Sequence, residues 1–168
     1  MSNAAEPSVV VIGCGNPTRG DDGVGPDIIR RLAVRGLGRL DDVRLHDAGT
    51  DGMAVLFAAR GCTTLIIVDA CRSGAAPGAM FEVPAHEIAT PTPPALGTHE
   101  LCWEHALAAG RRICGDAFPA DTTVFLIEVE SLEFGIALSA PVNAAAERVA
   151  ARIEASVRAK IAAIEPEA

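Results

Sequence analysis

The chain has 168 residues and a formal net charge of −8 at pH 7, from 14 basic and 22 acidic side chains. Apolar residues make up 49% of it and charged residues 21%, which is typical of a globular protein and excludes an intrinsically disordered one. Because no block of lysines or arginines offsets the acidic charge, we expect no binding to nucleic acid or to an anionic membrane.

The length indicates one domain, which we expect over residues 9–164 after a disordered or tag-like segment at residues 1–8. The five cysteines are scattered and form no Cys-x-x-Cys pair, so neither a disulfide framework nor a structural zinc site is expected. The first residues lack the pattern of a secretory signal, and no apolar run reaches the length of a membrane span, about 20 residues. We therefore expect a soluble, cytoplasmic protein.

The first half of the chain predicts alternating strands and helices. Continuous β-branched runs of strand length indicate buried strands, and apolar residues at helical spacing indicate helices. In chain order we expect a strand at residues 9–14, a helix from Pro26 that ends at Gly36, a strand at 43–47, a helix at 53–60 and a strand at 65–69.

The second half adds elements that complete a sheet. We expect an edge strand at residues 79–83, a proline-rich loop at 89–97, a helix at about 99–113 capped by Thr98, a strand at 122–129 and a helix at 141–164. The segment at 79–83 follows Pro77-Gly78 too closely for a helical crossover, hence its place at an edge. The pattern predicts an α/β fold, with a mostly parallel twisted sheet of about five strands in an α/β/α sandwich.

The segment GCGNPTRGDDGVG, at residues 13–25, follows the first predicted strand. A glycine-rich loop that opens a helix normally binds an anion, but the carboxylates of Asp21 and Asp22 would repel one and favour a cation. A plainer alternative is a solvated turn whose carboxylates cap the helix. A dinucleotide-binding module is a further alternative, although Thr18 replaces the third glycine that its fingerprint requires.

The topology of the sheet predicts where Asp22 meets other polar residues. In open α/β sheets, ligands bind at the carboxyl ends of the strands where the strand order reverses. If the order is 2-1-3, that place lies between the first and third strands, and Asp22 and Asp69 face one crevice. By itself, Asp69 could equally be a strand-end residue that accepts loop N–H groups.

His99 is the third candidate at this crevice. At the start of a helix, the helix dipole disfavours the imidazolium and keeps the ring available as a ligand. Two carboxylates and an imidazole can hold a divalent metal such as nickel or zinc, with positions left open for a partner. Alternatively, His99 is only an exposed histidine at the start of a helix. We expect His46, His86 and His105 to be structural, and His86 is the next ligand to test if His99 lies far from Asp22.

A series of motifs in consistent order resembles the hydrogenase maturation endopeptidases over residues 9–149. The motifs are Gly13-x-Gly15-Asn16, Asp21-Asp22-Gly23-x-Gly25, Asp47-x-Gly49-Thr50-x-Gly52, Ile67-Val68-Asp69-Ala70, Thr98-His99-Glu100 and the segment FGIALSAPV at residues 134–142. The resemblance implies one α/β/α domain and an endopeptidase that removes a C-terminal extension from the precursor of a nickel–iron hydrogenase large subunit after nickel insertion.

The resemblance also implies that Asp22, Asp69 and His99 contact the metal. Many members have glutamate at the first of these positions, so Asp22 is a shorter variant. A second departure is LIEVE at residues 126–130, where many members have glycine-x-glutamate-proline around the residue that matches Glu128.

The chain contains neither a Ser-His-Asp pattern nor an HExxH motif. The resemblance implies instead that nickel carried by the precursor, or another divalent metal, binds Asp22, Asp69 and His99, while Asp22, Asp69 or the metal activates water. The enzyme would be a metal-dependent or aspartic-type peptidase. Cys14 and Cys71 lie near the crevice without a suitable base, so a cysteine protease is not expected. The main alternative is a non-proteolytic, nickel-dependent checkpoint or chaperone of hydrogenase assembly.

Overall fold

The computed structural model describes residues 8–88 and 102–164. The strands are β1 (Val9–Cys14), β2 (Val43–Gly49), β3 (Thr64–Cys71), β4 (Met80–Pro84) and β5 (Asp121–Glu128). The helices are α1 (Val24–Val34), α2 (Gly52–Ala58), α3 (Trp103–Cys114) and α4 (Ala140–Ile164). None of the helices described is long and apolar enough to cross a membrane.

All five strands form one sheet in the order β2-β1-β3-β5-β4. The pairs β1–β2, β1–β3 and β3–β5 are parallel, and only the edge strand β4 is antiparallel to its neighbour. The expected α/β fold, the 2-1-3 order and the edge position of the fourth strand are therefore confirmed. The order reverses beside β1, which places the carboxyl ends of β1 and β3 next to each other.

Two apolar clusters cover the two faces of the sheet. One contains Ile28 and Leu32 of α1 with Ile153 of α4, and the other contains Val55 of α2 with Leu107 of α3. Successive residues of β1 alternate between these clusters, so every residue of β1 is buried. This burial on both faces explains why β1 is a continuous apolar run rather than an alternating pattern.

The predicted start of the third helix is wrong. Cys102 is the N-cap, with extended backbone at φ −76° and ψ 168°, and α3 begins at Trp103 rather than near His99. Trp103 is only 6% exposed, so the first turn of α3 is located by burial of its indole ring. Thr98, His99 and the proline-rich loop at 89–97 lie outside the residues that the structure describes.

Candidate active site

A cavity of about 490 Å³ lies at the carboxyl ends of the central strands. Its walls come from the loops after β1 and β2, from Asp69 near the end of β3, and from the starts of α2 and α3. The polar and sulfur-bearing side chains that line it include those of Asp22, Asp51, Asp69, Cys14 and Cys102. The crevice predicted from the strand order is therefore present, and it contains both predicted carboxylates.

Gly15 allows the segments that carry Asp22 and Asp69 to approach each other. A Cβ atom on Gly15 would lie 1.9 Å from the carbonyl oxygen of Asp22 and 3.7 Å from Oδ1 of Asp69. The backbone of Gly15 has φ +125°, in the region that favours glycine. The glycine loop thus brings the backbone around Asp22 onto the end of β3.

Asp22 also organises the glycine loop from within. Its Oδ2 accepts the backbone N–H of Asn16 at 2.9 Å. The side-chain oxygen of Asn16 in turn accepts the backbone N–H of Thr18 at 3.0 Å and its hydroxyl at 2.7 Å. These bonds give the half-buried Asp22 carboxylate a defined orientation on the cavity wall.

Asp21, the neighbour of Asp22, is structural. It is 1% exposed, and its carboxylate accepts hydrogen bonds from the backbone N–H groups of Glu130, Ser131 and Ser139 and from the Ser139 hydroxyl. Burial would raise the pKa of Asp21, but these donors outweigh burial and lower it. The alternative of a solvated capping turn is therefore wrong, because Asp21 is buried and no side chain caps α1.

Asp69 lies at the end of β3 with both carboxylate oxygens hydrogen-bonded. Oδ1 accepts the backbone N–H of Ala70 at 2.8 Å, and Oδ2 accepts Nε1–H of Trp103 at 2.7 Å. Burial raises the pKa of Asp69 to about 6, and the nearby charges of Asp22 and Glu104 add to the rise, while the two donors oppose it. A carboxyl with this pKa is ionised at pH 7 and can take a proton near neutrality.

Two residues around Asp69 were missed by the sequence reasoning. The indole of Trp103 donates a hydrogen bond to Asp69. The sequence feature that could have indicated this role is that Trp103 is the single tryptophan of the chain and lies close after Thr98-His99-Glu100. Glu128 was noted only as a departure from the family pattern. Its signal was a carboxylate directly after the apolar run VFLI at residues 124–127.

Glu128 holds the loop that follows Asp69. It is 3% exposed, and it accepts the backbone N–H groups of Ser73 and Gly74 and the hydroxyl of Ser73. The donors of Ser73, followed by that of Gly74, lower the pKa of Glu128 to about 2. Although the flanking glycine and proline of the family pattern are missing, the carboxylate itself anchors the loop that follows β3.

The cysteines near the cavity are thiols at neutral pH. Burial raises the pKa of Cys14, of Cys102 and of Cys71, the last to about 12. Cys102 lines the cavity, and its Sγ lies 2.8 Å from Nδ1 of His105. Because the thiolate is the nucleophilic form, these pKa values disfavour a cysteine nucleophile.

The histidines described by the structure do not complete a metal site. His86 is exposed and lies beside a separate depression with Arg111 and Phe118. Within residues 8–88 and 102–164, no group of three or more histidine, cysteine, aspartate or glutamate side chains is arranged to hold a metal ion. Since His99 lies outside these residues, the set of Asp22, Asp69 and His99 stays a prediction.

Comparison with known proteins identifies the family. A family model described as hydrogenase maturation protease, HycI, matches residues 26–156. The hydrogenase 2 maturation protease of Escherichia coli K12 is 32% identical over 151 residues, which cover 89% of this chain and 90% of that protein. HoxM of Azotobacter vinelandii, a hydrogenase expression/formation protein, is 30% identical over 147 residues, or 84% of this chain and 68% of that protein.

The fold comparison agrees with these relatives. The solved structure of the hydrogenase maturating endopeptidase HybD from Escherichia coli superposes with a TM-score of 0.75 at 29% identity, covering 90% of this chain and 93% of that one. The family match over residues 26–156 includes Asp69 and begins four residues after Asp22. The chain therefore belongs to the hydrogenase maturation protease family, whose members are processing peptidases.

Proposed function

We propose that this protein removes a C-terminal extension from the precursor of a nickel–iron hydrogenase large subunit after nickel has been inserted. The observation that carries the proposal is the shared cavity of Asp22 and Asp69 at the carboxyl edge of the sheet. The names of the relatives, which are hydrogenase maturation proteases, support this substrate class.

Nickel enters this proposal as cargo of the precursor. Carboxylate oxygens and an imidazole nitrogen are suitable donors for a divalent metal of this kind, and three such side chains leave coordination positions for ligands from the precursor. We assign Asp22 and Asp69 as carboxylate ligands and His99 as the imidazole ligand. Binding through these groups would place the scissile bond against the cavity and make cleavage depend on nickel.

Asp69 is the better candidate for the general base. A base works best when its pKa lies near the working pH, and the pKa of Asp69 is raised to about 6. Trp103 holds one oxygen of this carboxylate in place. Asp22 would then bind and orient the precursor, and the reaction is the addition of water to the peptide carbonyl with departure of the amine.

The same geometry argues against a dinucleotide in the glycine loop. In a phosphate-binding loop, the backbone N–H groups are offered to the anion. Here the N–H of Asn16 is already bonded to Oδ2 of Asp22. A negatively charged pyrophosphate would have to displace a carboxylate of the chain itself.

Intact-mass spectrometry of the precursor tests the proposal. We expect the wild-type protein to release a C-terminal peptide from nickel-loaded precursor and to leave nickel-free precursor unchanged. The variants Asp22→Ala, Asp69→Ala and His99→Ala should lose this cleavage while keeping the fold, because cavity ligands contribute little to core packing. The matched controls Asp41→Ala and His86→Ala change exposed residues that do not line the cavity, and they should cleave normally.

Three results would contradict the proposal in different ways. Cleavage of nickel-free precursor at the same rate would remove nickel recognition. Normal cleavage by both Asp22→Ala and Asp69→Ala would remove the assigned site. Nickel-dependent binding without any change in precursor mass would identify a checkpoint or chaperone instead of a peptidase.

A further inference from the structure

Phe134 and Ile136 form an exposed apolar pair on the segment after β5. Their exposed fractions are 84% and 86%, and they stand on either side of Gly135. Large apolar side chains that are almost fully exposed next to a functional site commonly mark a surface where another molecule binds. Here the neighbouring site is the glycine loop that carries Asp22.

The exposure of this pair is imposed by a well-anchored backbone. The N–H of Gly135 donates to the carbonyl of Thr18 at 3.0 Å, and its carbonyl accepts the N–H of Gly20 at 2.8 Å. Asp21 is bonded to Ser131 before the pair and to Ser139 after it. The segment is therefore fastened at its middle and at both ends.

The ring of Phe134 is also oriented. The guanidinium carbon of Arg19 lies 4.8 Å from the ring centroid, in the arrangement of a cation–π contact. This leaves Ile136 and the rest of the Phe134 ring for a partner. A contact surface that is ordered before binding has less conformational entropy to lose, so its apolar area contributes more fully to affinity.

The cavity is too small to provide the whole binding surface for a protein substrate. A cavity of about 490 Å³ admits only a short stretch of chain, whereas stable association between two proteins buries about 800 Å² on each partner. If the substrate is a folded precursor, most of the binding area must come from surfaces around the cavity. Gly135, between the two apolar residues, is joined by backbone hydrogen bonds to Thr18 and Gly20, and Gly20 is two residues from Asp22.

We propose that Phe134 and Ile136 are the apolar contact on which the hydrogenase large-subunit precursor docks when its C-terminal extension enters the cavity. This inference rests on the proposed function, since it takes the same precursor as the occupant. The pair determines the binding of the precursor rather than the chemistry of cleavage, because neither residue lines the cavity that contains Asp22 and Asp69. The matching surface on the precursor is expected to be apolar.

The test compares the double variant Phe134→Gln/Ile136→Gln with the control Val34→Gln/Ile113→Gln. The control also replaces two exposed apolar residues, with exposed fractions of 90% and 73%, but these lie on α1 and α3 and not on the glycine loop. Binding of nickel-loaded precursor is measured by titration calorimetry, and kcat and KM are measured by mass spectrometry. Thermal unfolding confirms that both variants are folded.

We expect the Kd and the KM of the Phe134/Ile136 variant to rise about tenfold or more, as for the loss of a central apolar contact. Its kcat should stay within about twofold of the wild-type value, because the carboxylates are unchanged. The control variant should have the same Kd, KM and kcat as the wild-type protein. A Kd of the Phe134/Ile136 variant within about twofold of wild type would overturn the inference.

Other outcomes separate this inference from the proposed function. If the wild-type protein binds the precursor without cutting it, the proposed peptidase function fails, and the Kd comparison still decides the docking surface. If sedimentation shows a wild-type dimer that becomes a monomer in the Phe134/Ile136 variant, a second copy occupies the surface and the inference is overturned. If the wild-type protein neither binds nor cuts the precursor, both proposals are rejected.

Discussion

Asp21 and Asp22 are adjacent in the sequence but differ in their surroundings. The carboxylate of Asp21 is enclosed by donors from residues 130–139, whereas that of Asp22 lies on the cavity wall and accepts one backbone N–H of its own loop. Removal of Asp21 leaves the backbone N–H groups of Glu130, Ser131 and Ser139 without this acceptor. Removal of the Asp22 side chain breaks only one hydrogen bond, to the backbone N–H of Asn16.

This contrast predicts separate effects of the two substitutions. Asp21→Ala should lower the free energy of unfolding by about 2–4 kcal/mol, because the four hydrogen bonds to a buried carboxylate are lost. Asp22→Ala should lower it by no more than about 1 kcal/mol, although it should abolish processing. Urea denaturation provides both values, and equal losses of stability would contradict the assigned roles.

The burial of Asp69 makes both stability and activity depend on pH. Its pKa is raised from an ordinary value of 3.8 to about 6, so the folded state holds its proton more strongly than the unfolded state. The contribution of this group to stability is therefore fully present below about pH 4 and is lost as the pH rises through about 6. Activity should depend on pH in the opposite direction and increase as the pH rises through about 6, because a general base and metal ligand must be ionised.

We predict that kcat/KM for processing falls as the pH is lowered through about 6. Trp103→Phe removes a donor that favours the ionised form of Asp69, so it should raise the pKa and move this acid limb to higher pH by about one pH unit. Phe118→Leu is the control, since Phe118 is buried in the same apolar cluster and lines a separate depression rather than the cavity. The measurement is the pH profile of kcat/KM, and an unchanged limb in Trp103→Phe would show that Asp69 does not determine it.

The element that depends most on close backbone approach is α1. A Cβ atom on Gly25 would lie 2.1 Å from the carbonyl oxygen of Cys14 and 2.8 Å from that of Val68. The first turn of α1 therefore contacts the ends of β1 and β3 through the backbone. This contact brings the short helical turn at Gly20–Gly23, with Asp22, to the edge of the sheet.

We predict that Gly25→Ala destabilises the protein by at least about 3 kcal/mol, because the clash is with backbone atoms of the central strands and cannot be relieved by a side-chain rotation. Gly38→Ala is the matched control: its Cβ atom would lie 3.5 Å from Cδ1 of Leu45, an ordinary contact. Its stability should stay within about 0.5 kcal/mol of wild type in urea denaturation. Equal stability of the two variants would show that α1 can move away from the sheet without cost.

In the whole molecule, two apolar clusters cover the faces of the sheet and leave its carboxyl edge for the site. The clusters are formed by α1 with α4 and by α2 with α3, so stability comes mainly from residues that do not line the cavity. The cavity residues can therefore hold carboxylates whose burial opposes folding. Because the apolar clusters and the cavity are formed mainly by different residues, loss of the Asp22 or Asp69 side chain should affect processing more than folding.

The position of the site could be predicted because the strand order follows from a few general rules. Apolar periodicity identified the elements, and the reversal between β1 and β3 brought the loop with Asp22 next to Asp69 at the end of β3. The wrong start of α3 shows the limit of such reasoning. A cap at Thr98 was locally reasonable, but the position of Trp103 in the core determines where the described helix begins.

The sequence by itself thus determined the α/β class, the order of the elements and the two carboxylates of the crevice, because periodicity and the residues at strand ends are local properties. Only the tertiary structure decided that Asp21 is a buried anchor, that Trp103 bonds Asp69 and that Glu128 holds the following loop. Each of these roles depends on a contact between residues far apart along the chain, such as Asp21 with Ser139 or Glu128 with Ser73. No pattern of neighbouring residues encodes such a contact, because it exists only after the strands and helices have packed.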